Sequence, residues 1–159
     1  MSGAHALMMV LESAEKARDE ALSALDAGRK ALDAAQRQAQ SLTDWRRDYE
    51  QRWQAQFRQS GGMEILRCYQ DFMARLAEAV GEQDRRVSLA RANVDRLQAQ
   101  LIERERRVAA VSQLIDRRHA EQQVRAARQE QKATDEMAAR LTRGGSGLGG
   151  TLSMAVGPL

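Results

Sequence analysis

From Leu7 onward, apolar residues recur at alternating steps of four and three on both sides of a Gly61-Gly62 pair, and no proline interrupts them before Pro158. Before the glycines the count runs Leu7, Leu11, Ala14, Arg18, Ala21, Leu25, Gly28, Leu32, Ala35, Ala39, Leu42, Arg46, Tyr49, Trp53, Gln56. After them it runs Leu66, Tyr69, Met73, Leu76, Val80, Gln83, Val87, Ala90, Val94, Leu97, Leu101, Arg104, Val108, Val111, Ile115. A mean period of 3.5 keeps one narrow stripe turned toward a partner helix and winds the pair left-handedly. The expectation is an all-α chain: a long antiparallel two-helix coiled-coil hairpin with its bend at Gly61-Gly62. The first helix is expected over about 5–58 and the second over about 63–141, within a coiled-coil domain of residues 1–143. Glycine suits the bend because it reaches positive φ without steric cost and ends helices for that reason. Pairing about the glycines sets Gln56 near Leu66 and Leu7 near Ile115. Gly28 costs about 1 kcal/mol of helix stability relative to alanine, which points to a close backbone approach there.

Composition agrees. Of the 159 residues 43% are apolar, much of this alanine, only 4% are aromatic and 30% are charged. Val, Ile and Thr are too sparse for sheets. Charged pairs at helical spacing, such as Glu12 with Lys16, Asp71 with Arg75 and Glu121 with Arg125, are expected on the wet faces. No stretch approaches the roughly 18 apolar residues of a membrane span, and the N-terminus lacks the charged start and cleavage site of a signal peptide. A single cysteine, Cys68, suits a reducing compartment and is expected to be a small, half-buried residue beside Leu66 and Tyr69. The chain reads as cytosolic.

Chemistry-bearing clusters are missing. His5 and His119 lie far apart in sequence, and neither has a second ligand at a metal-binding interval. The carboxylates alternate with arginines on faces expected to be wet, and a two-helix rod offers no pocket to gather them. Neither a metal, a cofactor nor a small-molecule substrate is expected, and the chain reads as a non-enzyme.

Two surfaces remain. All six aromatic residues fall between Trp45 and Phe72. Trp45, Tyr49, Trp53, Phe57 and Tyr69 are expected to pack at the hairpin end. Side chains four apart advance about 40° per step, so Trp45 and Phe57 cannot be equally buried. On the second helix Phe72, Leu76, Ala79 and Gln83 form a partly exposed stripe. The other surface is the far end of the second helix. Beyond Ile115 it has roughly 25 residues, nearly 40 Å, with nothing in the first helix to pack on. Its apolar stripe continues as Val124, Ala127, Gln131, Thr134, Ala138, Leu141. An isolated helix of that length is marginal in water, which makes it a docking element. From Glu103 to Arg143 ten basic and seven acidic residues account for the whole net charge of +3. The bases are interleaved with acids and lie far from the aromatics, so an acidic protein surface fits better than nucleic acid. From Gly144 to Leu159 a Gly-Gly-Ser-Gly-Leu-Gly-Gly run and its tail are expected to be a flexible terminus. They lack the GxxxxGK[ST] pattern of a phosphate loop.

Three segments resemble the FliJ family of flagellar type III export proteins. They are Leu11-Glu-Ser-Ala-Glu15 with Asp19-Glu-Ala21 and Leu25, then Tyr69-Gln-Asp-Phe72 with Leu76, then Glu130 to Arg140. Single motifs of this kind are common to coiled coils; their order about the bend, over nearly all of Leu7 to Leu141, carries the likeness. The resemblance implies a two-helix stalk similar to that of rotary ATPases, whose helix ends insert into the hexameric flagellar export ATPase. Carried onto this chain, that end is Leu7, Leu11 and Arg18 with Arg118, Arg125, Lys132 and Met137. It also implies that Phe72, Leu76 and Ala79, extended by the polar Gln83, contact the cytoplasmic part of the export-gate membrane protein, and that export chaperones are handed on. The implied location is cytoplasmic, at the inner membrane of the flagellar base through partners alone. The glycine-rich tail departs from the charged ends of the family. Two alternatives share the composition: the stalk of a virulence-type III secretion system, and a basic coiled-coil nucleic-acid binder.

Overall fold

The computed structural model describes residues 2–59, 61–145 and 157. Two helices account for nearly all of them: α1, Ser2–Phe57, and α2, Met63–Gly145, with no strand among the described residues. The chain divides into two units, Met1–Val111 and Ser112–Leu159, and α2 contributes to both.

In the first unit the helices run antiparallel. Gly28 of α1 lies against Leu97 and Val94 of α2, Ala35 against Gln83, Tyr49 against Phe72, and Trp53 against Tyr69. Partner numbers fall on α2 as they rise on α1. Trp53 and Tyr69 each stand three residues from the expected Gln56–Leu66 pair, so the register is the one the stripe predicts. The core is thin, because a 3.5-residue stripe lets each helix bury one seam and no more. Its buried apolar members are Ala14, Leu25, Leu76, Val94 and Leu97, and Leu32 and Leu101 pack against the Leu25–Val94–Leu97 cluster. Arg46, Gln56 and Arg104 occupy seam positions in the count but are exposed. Their long polar side chains turn out to water rather than lose its hydrogen bonds.

Gly28 is buried, and a Cβ built on it would meet Leu97 Cδ1 at 2.7 Å. Here the glycine is a hole for a leucine. The bend works differently from expectation. Among the described residues no glycine has a positive φ. At the end of α1 the Gln59 amide donates to the Gln56 carbonyl at 3.1 Å, and at the start of α2 the Leu66 amide donates to the Gly62 carbonyl at 3.2 Å. Gly62 thus stands where its own carbonyl accepts the first bond of α2, a position glycine tolerates well. Cβ atoms on Gly61 and Gly62 would meet only ordinary contacts, at 3.9 and 4.0 Å.

The charged pairs are a different set from the three anticipated. Neither Glu12–Lys16, Asp71–Arg75 nor Glu121–Arg125 forms. The i,i+4 pairs that do include Asp26–Lys30 at 3.1 Å, Asp33–Arg37 at 2.7 Å and Glu82–Arg86 at 3.8 Å. Such exposed partners gain so little from pairing that spacing alone does not select among them.

In the second unit α2 continues to Gly145, beyond the expected end near Leu141 and through the first two glycines of the tail. Thr142 Oγ1 donates to the Ala139 carbonyl at 2.9 Å in this last turn. The sequence places a flexible terminus from Gly144, but Gly144 and Gly145 are helical; the rest of it lies, apart from Gly157, outside the described residues. Every residue from Asp116 to Gly145 is exposed.

The Gly28 hole gives a direct test by urea denaturation followed by circular dichroism. Gly28→Leu overfills it and lowers stability by about 2 kcal/mol. Adding Leu97→Ala to that variant recovers part of the loss. Gly28→Ala gains less than the ~1 kcal/mol that helix propensity alone offers, because Leu97 must move.

Candidate interaction surfaces

The hairpin end carries a ring cluster that spans both helices. Trp53 sits 5.0 Å from Tyr69 and 6.0 Å from Phe57, and Phe57 closes the triangle at 6.2 Å from Tyr69. All three are half-buried. The tilted and edge-on arrangements suit ring quadrupoles. Tyr49 and Phe72 form a second pair at 4.7 Å, with both rings more than a third exposed. Trp45, grouped with the packing aromatics by sequence, is 60% exposed and belongs to none of these contacts. Between Trp45 and Phe57 it is Phe57 that turns inward. Steps of four overshoot a 3.5-residue period, so the side chains drift across the seam and only the later ones meet α2.

The stripe Phe72, Leu76, Ala79 and Gln83 is not one continuous surface. Phe72 and Ala79 are exposed, whereas Leu76 and Gln83 are buried in the seam, Gln83 to 4% exposure. Gln83 Nε2 donates to the Ala35 carbonyl of α1 at 3.0 Å. A buried amide is costly unless it is satisfied, and the short Ala35 side chain lets Gln83 reach the backbone behind it. That bond turns Gln83 inward. Cys68 is exposed rather than half-buried, because the inward positions beside it go to Leu66 and Tyr69.

At the start of α1, Leu7, Leu11 and Arg18 are half-buried, and Arg18 is bound to Asp19 at 3.1 Å. Met8, Met9 and Val10, which the seam count passes over, are exposed by 42–58%. Two consecutive methionines outside the periodic positions are the available signal for these exposed apolar side chains. In the second unit Arg118 and Arg125 share a polar depression with Glu121 and Gln122. Met137 lies with Ala133, Thr134, Ala138 and Leu141 on an apolar patch, and Lys132 is exposed. Among the described residues no group of three His, Cys, Asp or Glu could hold a metal ion, and no helix is long and apolar enough to cross a membrane.

Two long helices joined by a narrow seam, with apolar and charged surfaces left open along them, define a coiled-coil hairpin that presents interaction surfaces. The family model described as "Flagellar FliJ protein" matches residues 3–147, and the chain belongs to that family. It is a flagellar type III export protein of a non-catalytic family. No curated protein and no solved structure matches the chain.

The two tryptophans separate packing from exposure. Trp53→Ala destabilises the hairpin by about 2 kcal/mol, part of the loss for a fully enclosed ring. Trp45→Ala stays within about 0.5 kcal/mol of the parent. Urea midpoints followed by circular dichroism check both.

Proposed function

We propose that the protein is the central stalk of the flagellar export ATPase ring, that it couples the ring to the export gate, and that it escorts export chaperones. The observation that carries this reading is the helical segment Asp116–Gly145, in which every side chain is exposed. A helix of that length, about 45 Å, needs a partner to be held. Within a family of the export apparatus, the hexameric ATPase is the partner we assign to it. Arg118, Arg125, Lys132 and Met137 present charge and apolar surface to it, with Leu7, Leu11 and Arg18 at the start of α1. Phe72 and Ala79 are the members of the gate stripe open to solvent, and the gate protein's cytoplasmic part docks there. Leu76 and Gln83 act from beneath by holding the helices in register. No catalytic step is assigned to this chain; it transmits position through a stiff pair of helices. It works in the cytoplasm, at the membrane only through its partners. The flagellar system is favoured over a virulence-type one by the family match. Nucleic acid is disfavoured by the acids interleaved among the bases.

The test uses surface positions, because Leu76→Asp would bury a charge and report on folding. Mixed with its cognate ATPase, the parent protein promotes ring formation and raises turnover. Arg118→Glu with Arg125→Glu weakens both effects about tenfold, while circular dichroism is unchanged. Phe72→Asp with Ala79→Asp leaves ring formation intact and abolishes motility. If the parent alters neither ring formation nor turnover, the stalk assignment is wrong.

A further inference from the structure

Beyond Ile115 the apolar positions of the second unit are two residues out of step with the seam. Counting on from Ile115 by threes and fours leads to Arg118, Gln122 and Arg125, all polar. The apolar count instead takes Val124, Ala127, Gln131, Thr134, Ala138 and Leu141. This stripe is therefore a heptad face of its own. It is also solvent-exposed, Val124 by 50% and Leu141 by 73%, with Met137 beside it at 67%.

Its spacing reads the same in both directions. Steps of three, four, three, four and three, reversed, are the same steps. Two copies laid antiparallel therefore match position for position. Val124 of one copy faces Leu141 of the other, Ala127 faces Ala138, and Gln131 faces Thr134. Thr134 Oγ1 donates to the Glu130 carbonyl of its own helix at 2.8 Å and keeps a lone pair that accepts from Gln131 Nε2 of the other copy, so the polar middle of the stripe is bridged in the same register that pairs its apolar ends. In an antiparallel pair the residues following each 124-type position by four flank the core on the same side. Here these are Arg128 and Asp135, opposite charges brought together twice by the two-fold axis. Within the chain neither Arg128 nor Asp135 has an ion-pair partner among the described residues, although Asp135 and Arg128 share one segment of helix. A parallel pair would set Ala127 against Ala127 and Gln131 against Gln131 and would lose this arrangement.

We infer that the segment 124–141 of α2 is a self-association surface, which pairs antiparallel with the same segment of a second copy. Alanine, threonine and glutamine at four of six core positions keep the association weak and reversible. The same face is then either paired with its copy or open to another partner. Burial in the pair holds a helix that is otherwise marginal in water. The inference does not depend on the stalk reading, and its test contains no export component.

Sedimentation equilibrium of the full chain across a wide concentration range reads the result. The weight-average mass rises from that of one 17.8 kDa chain toward twice that value. Val124→Asp with Leu141→Asp keeps the chain monomeric without loss of helix by circular dichroism. Arg128→Asp alone weakens association about tenfold, Asp135→Arg alone does the same, and the two together restore it. In a Cys68→Ser background, Ala127→Cys with Ala138→Cys yields an oxidised covalent dimer, while either cysteine alone yields little. A chain that stays monomeric at every concentration overturns the inference. So does a double charge exchange that fails to restore association, or an Ala127→Cys chain that crosslinks as well as the pair, which is the parallel outcome.

Discussion

The contact of Leu97 with the backbone at Gly28 sets how closely the two helices lie. A methyl group there would stand 2.7 Å from the leucine's Cδ1. Because the glycine withholds it, Leu25, Val94 and Leu97 close around one another, and Leu32 and Leu101 extend the cluster along the seam. Two helices without a third layer can bury only the side chains that point directly between them. Cohesion of the first unit therefore depends on a short list of close approaches rather than on a broad core. Every other face of both helices is left to solvent or to partners.

That constraint explains the distribution of polar groups. The one buried polar side chain among the described residues, Gln83, donates to the Ala35 carbonyl across the seam. A bond of this kind adds little net stability but is costly to misplace, so it favours one register over its neighbours. The ion pairs, by contrast, join residues within four positions on one helix, and their side chains are largely exposed. They support the solvent faces without linking the helices. The open surfaces follow from the same economy of burial. Tyr49 and Phe72 pack with tilted rings across the helices while remaining accessible, and the residues Val124 to Leu141 are exposed.

Periodicity made most of the seam legible. Leu25, Leu76, Val94 and Leu97 stand where alternating steps of four and three place them, and so does Gln83, whose polarity does not remove it from the count. The same rule misplaced Arg46, Gln56 and Arg104, because a period specifies direction from the helix and not whether a long side chain stays there. It could not decide between Trp45 and Phe57, since steps of four cross the seam gradually and the crossing point depends on where α2 begins. The anticipated ion pairs failed for another reason. Several acid–base choices at equal spacing differ by less energy than side-chain entropy, and spacing carries no preference among them.

By itself the sequence determined that the chain is helical, that it turns back once near its paired glycines, where most of the seam falls, and in which register the halves meet. These follow from repeat period and residue type, properties that are local or depend on one alignment of two stripes. Only the tertiary structure decided that Gly28 accommodates Leu97, that Gln83 turns inward to Ala35, that neither Gly61 nor Gly62 takes a positive φ, and that Phe57 rather than Trp45 joins Tyr69. The packing outcomes among these depend on the distance between two helices to within an ångström. A pattern of spacings along one chain does not contain that distance.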